Sequence, residues 1–312
     1  MSIDTSRHQG FQTERIGVSR QPDPAWRITL GAVGVLAFTG WAYLAAMVID
    51  MIPVMDMSEA GPGMGLLNQF NFFRGLPEEA RAALAVLCLP AGATFGMPSE
   101  ALTAGDFLKI YMMWAMMALA MMLPSAVPML RAFHKQHQNG LAARSLTIVT
   151  LLAAVGYLSV WFGYAAIATI MQWGLVSAGA ISPMMAPVSM ALTVTVLLVA
   201  GFYQFSPQKR ACLDRCWYPK WVFDRPSKEH PQTAAIAEGW RQGLYCLGCC
   251  WAVMAVMFAV GLMNIFWIAA LGGLMALEKS LITQWFPRFI GLFFLVWGSA
   301  LLFALTRAGG GG

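Results

Sequence analysis

The sequence predicts an all-α protein, a polytopic transmembrane helical bundle of about six spans with both termini in the cytoplasm. Three observations predict it. Hydrophobic residues make up 58% of the chain and charged residues 11%, against about 25% charged in an ordinary soluble domain. Six stretches approach or exceed the roughly 20 apolar residues needed to cross a hydrocarbon layer about 30 Å thick. Lys and Arg collect in alternate connections, which sets orientation.

The elements follow in order. Residues 1–25 carry Arg7, Arg15 and Arg20 but no apolar region suited to a cleavable signal, so they read as a mobile cytoplasmic arm. The first span is Trp26 to Val54, with Asp50 near its end. Residues 56–106 form an external cap, in which Pro77, Glu78 and Glu79 suit a helix start and Leu84, Leu87 and Cys88 supply its apolar side. The second span, Phe107 to Leu130, is distorted in its inner half by Pro124 and Pro128, which leave carbonyls for another donor or a cation. The third and fourth spans are Ser145 to Met171 and Met184 to Phe205, joined by an uncharged external connection. The loop 206–243 holds Lys209, Arg210, Arg215, Lys220, Arg225, Lys228 and Arg241 and is cytoplasmic.

The fifth span, Leu244 to Leu277, reads as one long helix of about 51 Å, with Gly261 and Asn264 as its break points if it breaks. Trp285 to Leu305 is the sixth. Residues 26–308 thus form one membrane domain, and Gly309 to Gly312 read as a linker outside the functional chain. The net charge of +5 acts as an orientation signal and an attraction for anionic headgroups, and no basic motif for nucleic acid is present.

Sulfur carries the chemistry. Five of the six cysteines fall near one cytoplasmic face: Cys212 and Cys216 after span four, and Cys246, Cys249 and Cys250 entering span five. At helical spacing each set shares a face, so the two sets can converge. A reducing compartment favours thiols over disulfides, and thiolates bind copper(I) or zinc(II). Arg210, Arg215 and Arg241 are placed to stabilise them. The alternative is that these cysteines pack as small hydrophobes.

Methionine is the second signal, with 22 residues. Met113, Met117 and Met121 form a stripe along span two, and Met47, Met51 and Met55 repeat that spacing beside Asp50 and Asp56. Met184 and Met185 also map to the outer side. Thioethers are neutral soft ligands that favour copper(I), although methionine also fills gaps in helix packing. Asn264 lies deep in span five, where a polar side chain bridges helices or binds a substrate or metal.

The run Trp114 to Met129 (WAMMALAMMLPSAVPM), the stretch Cys246 to Lys279 opening CLGCCW, and Tyr203 to Cys216 (YQFSPQKRACLDRC) resemble a bacterial family known as predicted metal-binding integral membrane proteins. These motifs cover about half the chain. The resemblance implies a multi-pass protein of the bacterial inner membrane, with the three segments acting as one unit.

The four histidines lie outside the deep spans, so a buried bis-histidine haem is not expected. No Walker loop or nucleophile elbow is present, and the sequence leaves open whether the chain is part of an enzyme. The expected function is binding or transfer of a soft metal, copper first and zinc as the other option. The metal ligands would come from Cys212, Cys216, Cys246, Cys249, Cys250, Met113, Met117, Met121, Met47, Met51, Asp50 and Asn264. Expected partners are membrane lipids, other membrane subunits and a metallochaperone. The opposing reading is a subunit of a larger membrane oxidoreductase that holds a copper centre or serves structurally.

Overall fold

The structure is a computed structural model that describes residues 23–53, 56–71, 104–181, 189–219 and 231–309. Most of the N-terminal arm, the cap helix after Pro77 with Cys88, and Met55, Met184 and Met185 lie outside those residues.

The first helix, α1 (Pro24–Met51), starts where Asp23 accepts a hydrogen bond from Ala25 N and Pro24 occupies the first helical position. Two 3-10 turns, Met57–Ala60 and Met64–Phe70, follow it. The remaining helices are α2 (Ala104–Met117), α3 (Val127–His137), α4 (Ala143–Ser177), α5 (Met190–Tyr203), α6 (Pro207–Trp217), α7 (Pro231–Ala255), α8 (Ile265–Ser280) and α9 (Trp285–Gly309). Among the described residues, five helical stretches are long and apolar enough to cross a membrane. A sixth crossing results if α5 and α6, which meet at 63°, are taken together.

Contacts across the bundle define its two faces. Asp23 Oδ2 lies 3.2 Å from His134 Nε2, which joins the start of α1 to the end of α3 at the near face. His134 and His137 were both expected outside the spans, and His134 is buried against Asp23. At the far face Asn264 Nδ2 donates to Pro62 O over 2.9 Å.

Between α2 and α3 the chain departs from a regular helix because two prolines lack N–H groups. Ala118–Met122 forms a π turn, and Leu123–Ser125 a short helical turn before the break at Ala126. The carbonyl of Ala120, which Pro124 cannot serve, accepts from Trp41 Nε1 of α1 at 3.1 Å. Met122 O accepts from Ser125 Oγ at 2.7 Å and from Tyr157 Oη at 3.1 Å. The proline distortion expected from sequence is present, and side chains satisfy the carbonyls it frees.

The expectation of a single helix from Leu244 to Leu277 is corrected. The chain leaves the helix after Met257–Val260 and re-enters at Ile265. Gly261 takes φ 99°, a conformation that an L side chain rarely adopts, and a Cβ there would lie 2.3 Å from Ala60 O. Asn264 caps α8, its Oδ1 accepting from Trp267 N at 3.2 Å. Cys246 and Lys279 are 33 positions apart, about 50 Å along a straight helix, yet Lys279 Nζ lies 2.9 Å from Cys246 Sγ. Helix α8 therefore runs back along α7 from far face to near face.

Small residues allow the closest packing. A Cβ at Gly239 would lie 2.0 Å from Ala153 O, and one at Gly156 would lie 2.1 Å from Ile236 O. At these positions α4 and α7 touch backbone to backbone, which brings the middle of α7 against Tyr157 of α4.

Candidate metal centre

Helix α7 presents Cys246, Cys249 and Cys250 on one face, because residues three and four apart lie one turn along a helix. All three are buried, and their sulfurs lie within 4.8 Å of one another. Cys249 Sγ is 3.3 Å from Cys250 Sγ and 3.1 Å from Cys246 O.

Helix α6 brings the second set. Its start is fixed by Ser206, whose hydroxyl accepts from Lys209 N, and by Pro207. Cys216, half-buried, approaches from α6 to place Sγ 3.8 Å from Cys249 Sγ. Cys212, one turn earlier and also half-buried, seats its sulfur over Gly248 of α7, where a Cβ would meet it at 2.5 Å. Tyr203 donates to Gly248 O from the end of α5, and Gln242 Nε2 donates to Arg215 O at 3.3 Å. The two cysteine sets thus converge as their spacing allows. Metal–sulfur bonds of about 2.3 Å put three sulfurs around one ion at roughly 4 Å from each other, which the thiol separations match. Sulfur donors of this kind suit copper(I) and zinc(II).

Of the arginines named from sequence, Arg215 acts on Cys212, but the cation beside the three buried sulfurs of α7 is a lysine. Arg215 donates to Tyr245 Oη at 2.9 Å, and Arg210 lines a cleft of 160 Å³ with Asp214, Trp217 and Arg288. Lys279 takes the place: its Nζ reaches Cys246 Sγ at 2.9 Å and Ser125 Oγ at 2.7 Å, with the side chain buried. Tyr157 Oη also lies 2.9 Å from Cys246 Sγ, and its single proton serves either that sulfur or Met122 O. Behind Lys279, Glu278 pairs with Lys209 of α6 at 2.7 Å, both fully buried. Lys209 also donates to Gln204, and Trp217 Nε1 donates to Glu278 O at 2.9 Å. These contacts fasten α6 to α8 beside the sulfurs.

The other sequence candidates separate into two groups. Met113, Met117 and Met121 of the α2 stripe are all buried, Met121 packing against Gly272 of α8, and Met47 and Met51 are buried at the far end of α1. These methionines share one core with Cys246, Cys249 and Cys250. Asp50 is half-buried. Asn264 is fully buried, but its amide is engaged in capping α8 and tying it to Pro62 O, so packing accounts for it. Lys279, Ser125 and Tyr157 were missed. The signal for Lys279 was its place at the end of the Cys246 to Lys279 stretch that carries the family resemblance.

Residues 111–301 match a family model described as PpoB2, a copper chaperone. The matched region runs from α2 to α9 and holds all five cysteines, the α2 stripe and Lys279. No curated protein and no solved structure matches the chain.

Proposed function

The chain belongs to the PpoB2 copper chaperone family, and we propose that it binds copper(I) within a bacterial inner membrane and passes it between a thioether region and a thiol site. The observation that carries this reading is the meeting of Cys216 with Cys246, Cys249 and Cys250 across two helices, with three of the four sulfurs buried. Copper is the cargo, and thiolates are the protein ligands that hold the soft monovalent ion most firmly. Met113, Met117 and Met121 form the thioether path, and Met47 and Met51 lie at its outer end. Buried thioethers offer neutral contacts along which the ion exchanges, whereas thiols must lose protons to bind it.

The near face is the cytoplasmic one in this reading, because Arg131, Lys135, Arg144, Arg210, Arg215 and Arg241 lie toward it. Copper would therefore be collected near Met47 and Met51 and retained or handed on at the cysteines. Cys212, half-buried at the edge of the set, is the sulfur placed to meet an incoming acceptor.

The test is anaerobic titration of the purified protein in detergent with copper(I) against a chromophoric chelator. Replacing Cys249 and Cys250 by Ser removes most of the bound copper while helix content is retained. Unchanged stoichiometry and affinity in that double variant would sink the proposal.

A further inference from the structure

Lys279 is a buried cation with no carboxylate partner of its own. Its ammonium reaches Ser125 Oγ at 2.7 Å and Cys246 Sγ at 2.9 Å. The adjacent Glu278 is turned to Lys209. Among the described residues no ion pair joins Lys279 to an acidic group. A lysine ammonium only donates hydrogen bonds, and a buried charge is costly unless an opposite charge faces it. Glu278 feels both lysines but pairs with Lys209, so one carboxylate stands against two ammonium groups. One positive charge is left over, and it points at sulfur.

The charge of a metal–thiolate unit depends on the ion. Copper(I) held by two thiolates is a monoanion, which one ammonium offsets. Zinc(II) held by two thiolates is neutral and leaves the ammonium uncompensated, and it reaches the same single negative charge only with a third thiolate, at which copper(I) carries two. A closed zinc site uses four ligands, and four thiolates around zinc carry two negative charges, one more than Lys279 offsets.

We propose that Lys279 is the positioning residue of the sulfur site, orienting Cys246 through a direct hydrogen bond and supplying the counter-charge that, for an ion held by two thiolates, favours a monovalent soft ion over a divalent one. This rests on the metal-binding reading above and adds to it the basis of selection. Ser125 holds the ammonium from the side opposite the sulfur, so it shares the role at one remove. Donors that orient a metal ligand typically change affinity by about 10- to 100-fold when removed.

The experiment compares full-length wild type with Lys279→Met and Lys279→Arg, in detergent and without oxygen. Copper(I) and zinc(II) affinities are measured in parallel by chelator competition, with the ultraviolet copper–thiolate band as a second readout. In Lys279→Met, copper(I) affinity falls by about tenfold or more while zinc(II) affinity holds or rises. Lys279→Arg, which keeps the charge, retains the wild-type order of preference.

A structural role for Lys279 instead weakens both metals together in step with the melting temperature, and that result overturns the inference. Wild-type copper(I) affinity in Lys279→Met overturns it as well. If Lys279→Met does not insert, Ser125→Ala stands in for it, and an unchanged copper-to-zinc ratio there counts against the proposal. Wild-type protein that binds neither metal removes the underlying function, a result distinct from wild-type protein that binds copper(I) without needing Lys279.

Discussion

Gly248 is the residue through which a second helix gains access to the thiols. With no side chain of its own it leaves room for Cys212, and a Cβ would lie 2.5 Å from that sulfur. Gly248→Ala therefore moves α6 outward, lengthens the 3.8 Å approach of Cys216 to Cys249, and costs about 1–3 kcal/mol of packing. Oxidative cross-linking of Cys216 to Cys249 measures this, and its yield falls in the variant. The convergence of the cysteines was legible, because spacing of three and four on a helix is a property of the chain alone. Lys279 was not legible as a site residue. Its role depends on α8 folding back, and a lysine closing an apolar run otherwise reads as a charge reaching for water.

At the scale of elements, Pro124 leaves the carbonyl of Ala120 to Trp41, and the break at Ala126 leaves that of Met122 to Ser125 and Tyr157. That much followed from Pro124 and Pro128; which side chains answer them is set by packing. The α2 stripe separates transfer from packing. Exchanging Met113, Met117 and Met121 for Leu nearly conserves volume and apolar character, so it costs less than about 1.5 kcal/mol per site while deleting every thioether of the stripe. Copper flux in reconstituted vesicles drops under the transfer reading, and wild-type flux in a stable triple variant rules the stripe out as a path.

The turn between α7 and α8 was read from sequence as a point of weakness inside one helix, since Gly261 and Asn264 mark a break without saying which way the chain leaves it. The direction comes from Ala60 and Gly61, whose backbone meets Gly261 and Val260. Gly261→Ala forces a side chain into that contact at φ 99°, and about 1–3 kcal/mol of destabilisation is expected from the backbone conformation alone. Gly163→Ala, in the middle of α4 with nothing within 4 Å of the added atom, is the control, and its melting temperature stays at or above wild type.

For the whole molecule the number of passages matters more than their composition. Composition and length were enough to establish an all-helical protein with five or six candidate spans. Helix α8, at 16 residues, is shorter than the roughly 20 that a full span requires, so length alone does not count it as a passage. Helix α9 then runs antiparallel to α5: Gly291 lies against Gln204 and Phe205, and Gly298 lies against Leu197 and Leu198. It starts at the near face and ends at the far one, so the N-terminus and the C-terminus are expected on opposite sides of the membrane. A reporter active only outside the cytoplasm, fused after Arg307, is active on this arrangement, whereas activity only in a cytoplasmic reporter at that position refutes it.

The return of α8 also orders events during synthesis. The cysteines leave the ribosome well before Lys279, so a stalled or truncated chain carries every thiol of the set without the ammonium that faces Cys246. On the charge argument such a fragment holds copper(I) weakly, and secure loading waits until the hairpin has closed. Under that proposal firm loading follows the folding of α8 and not the synthesis of the thiols.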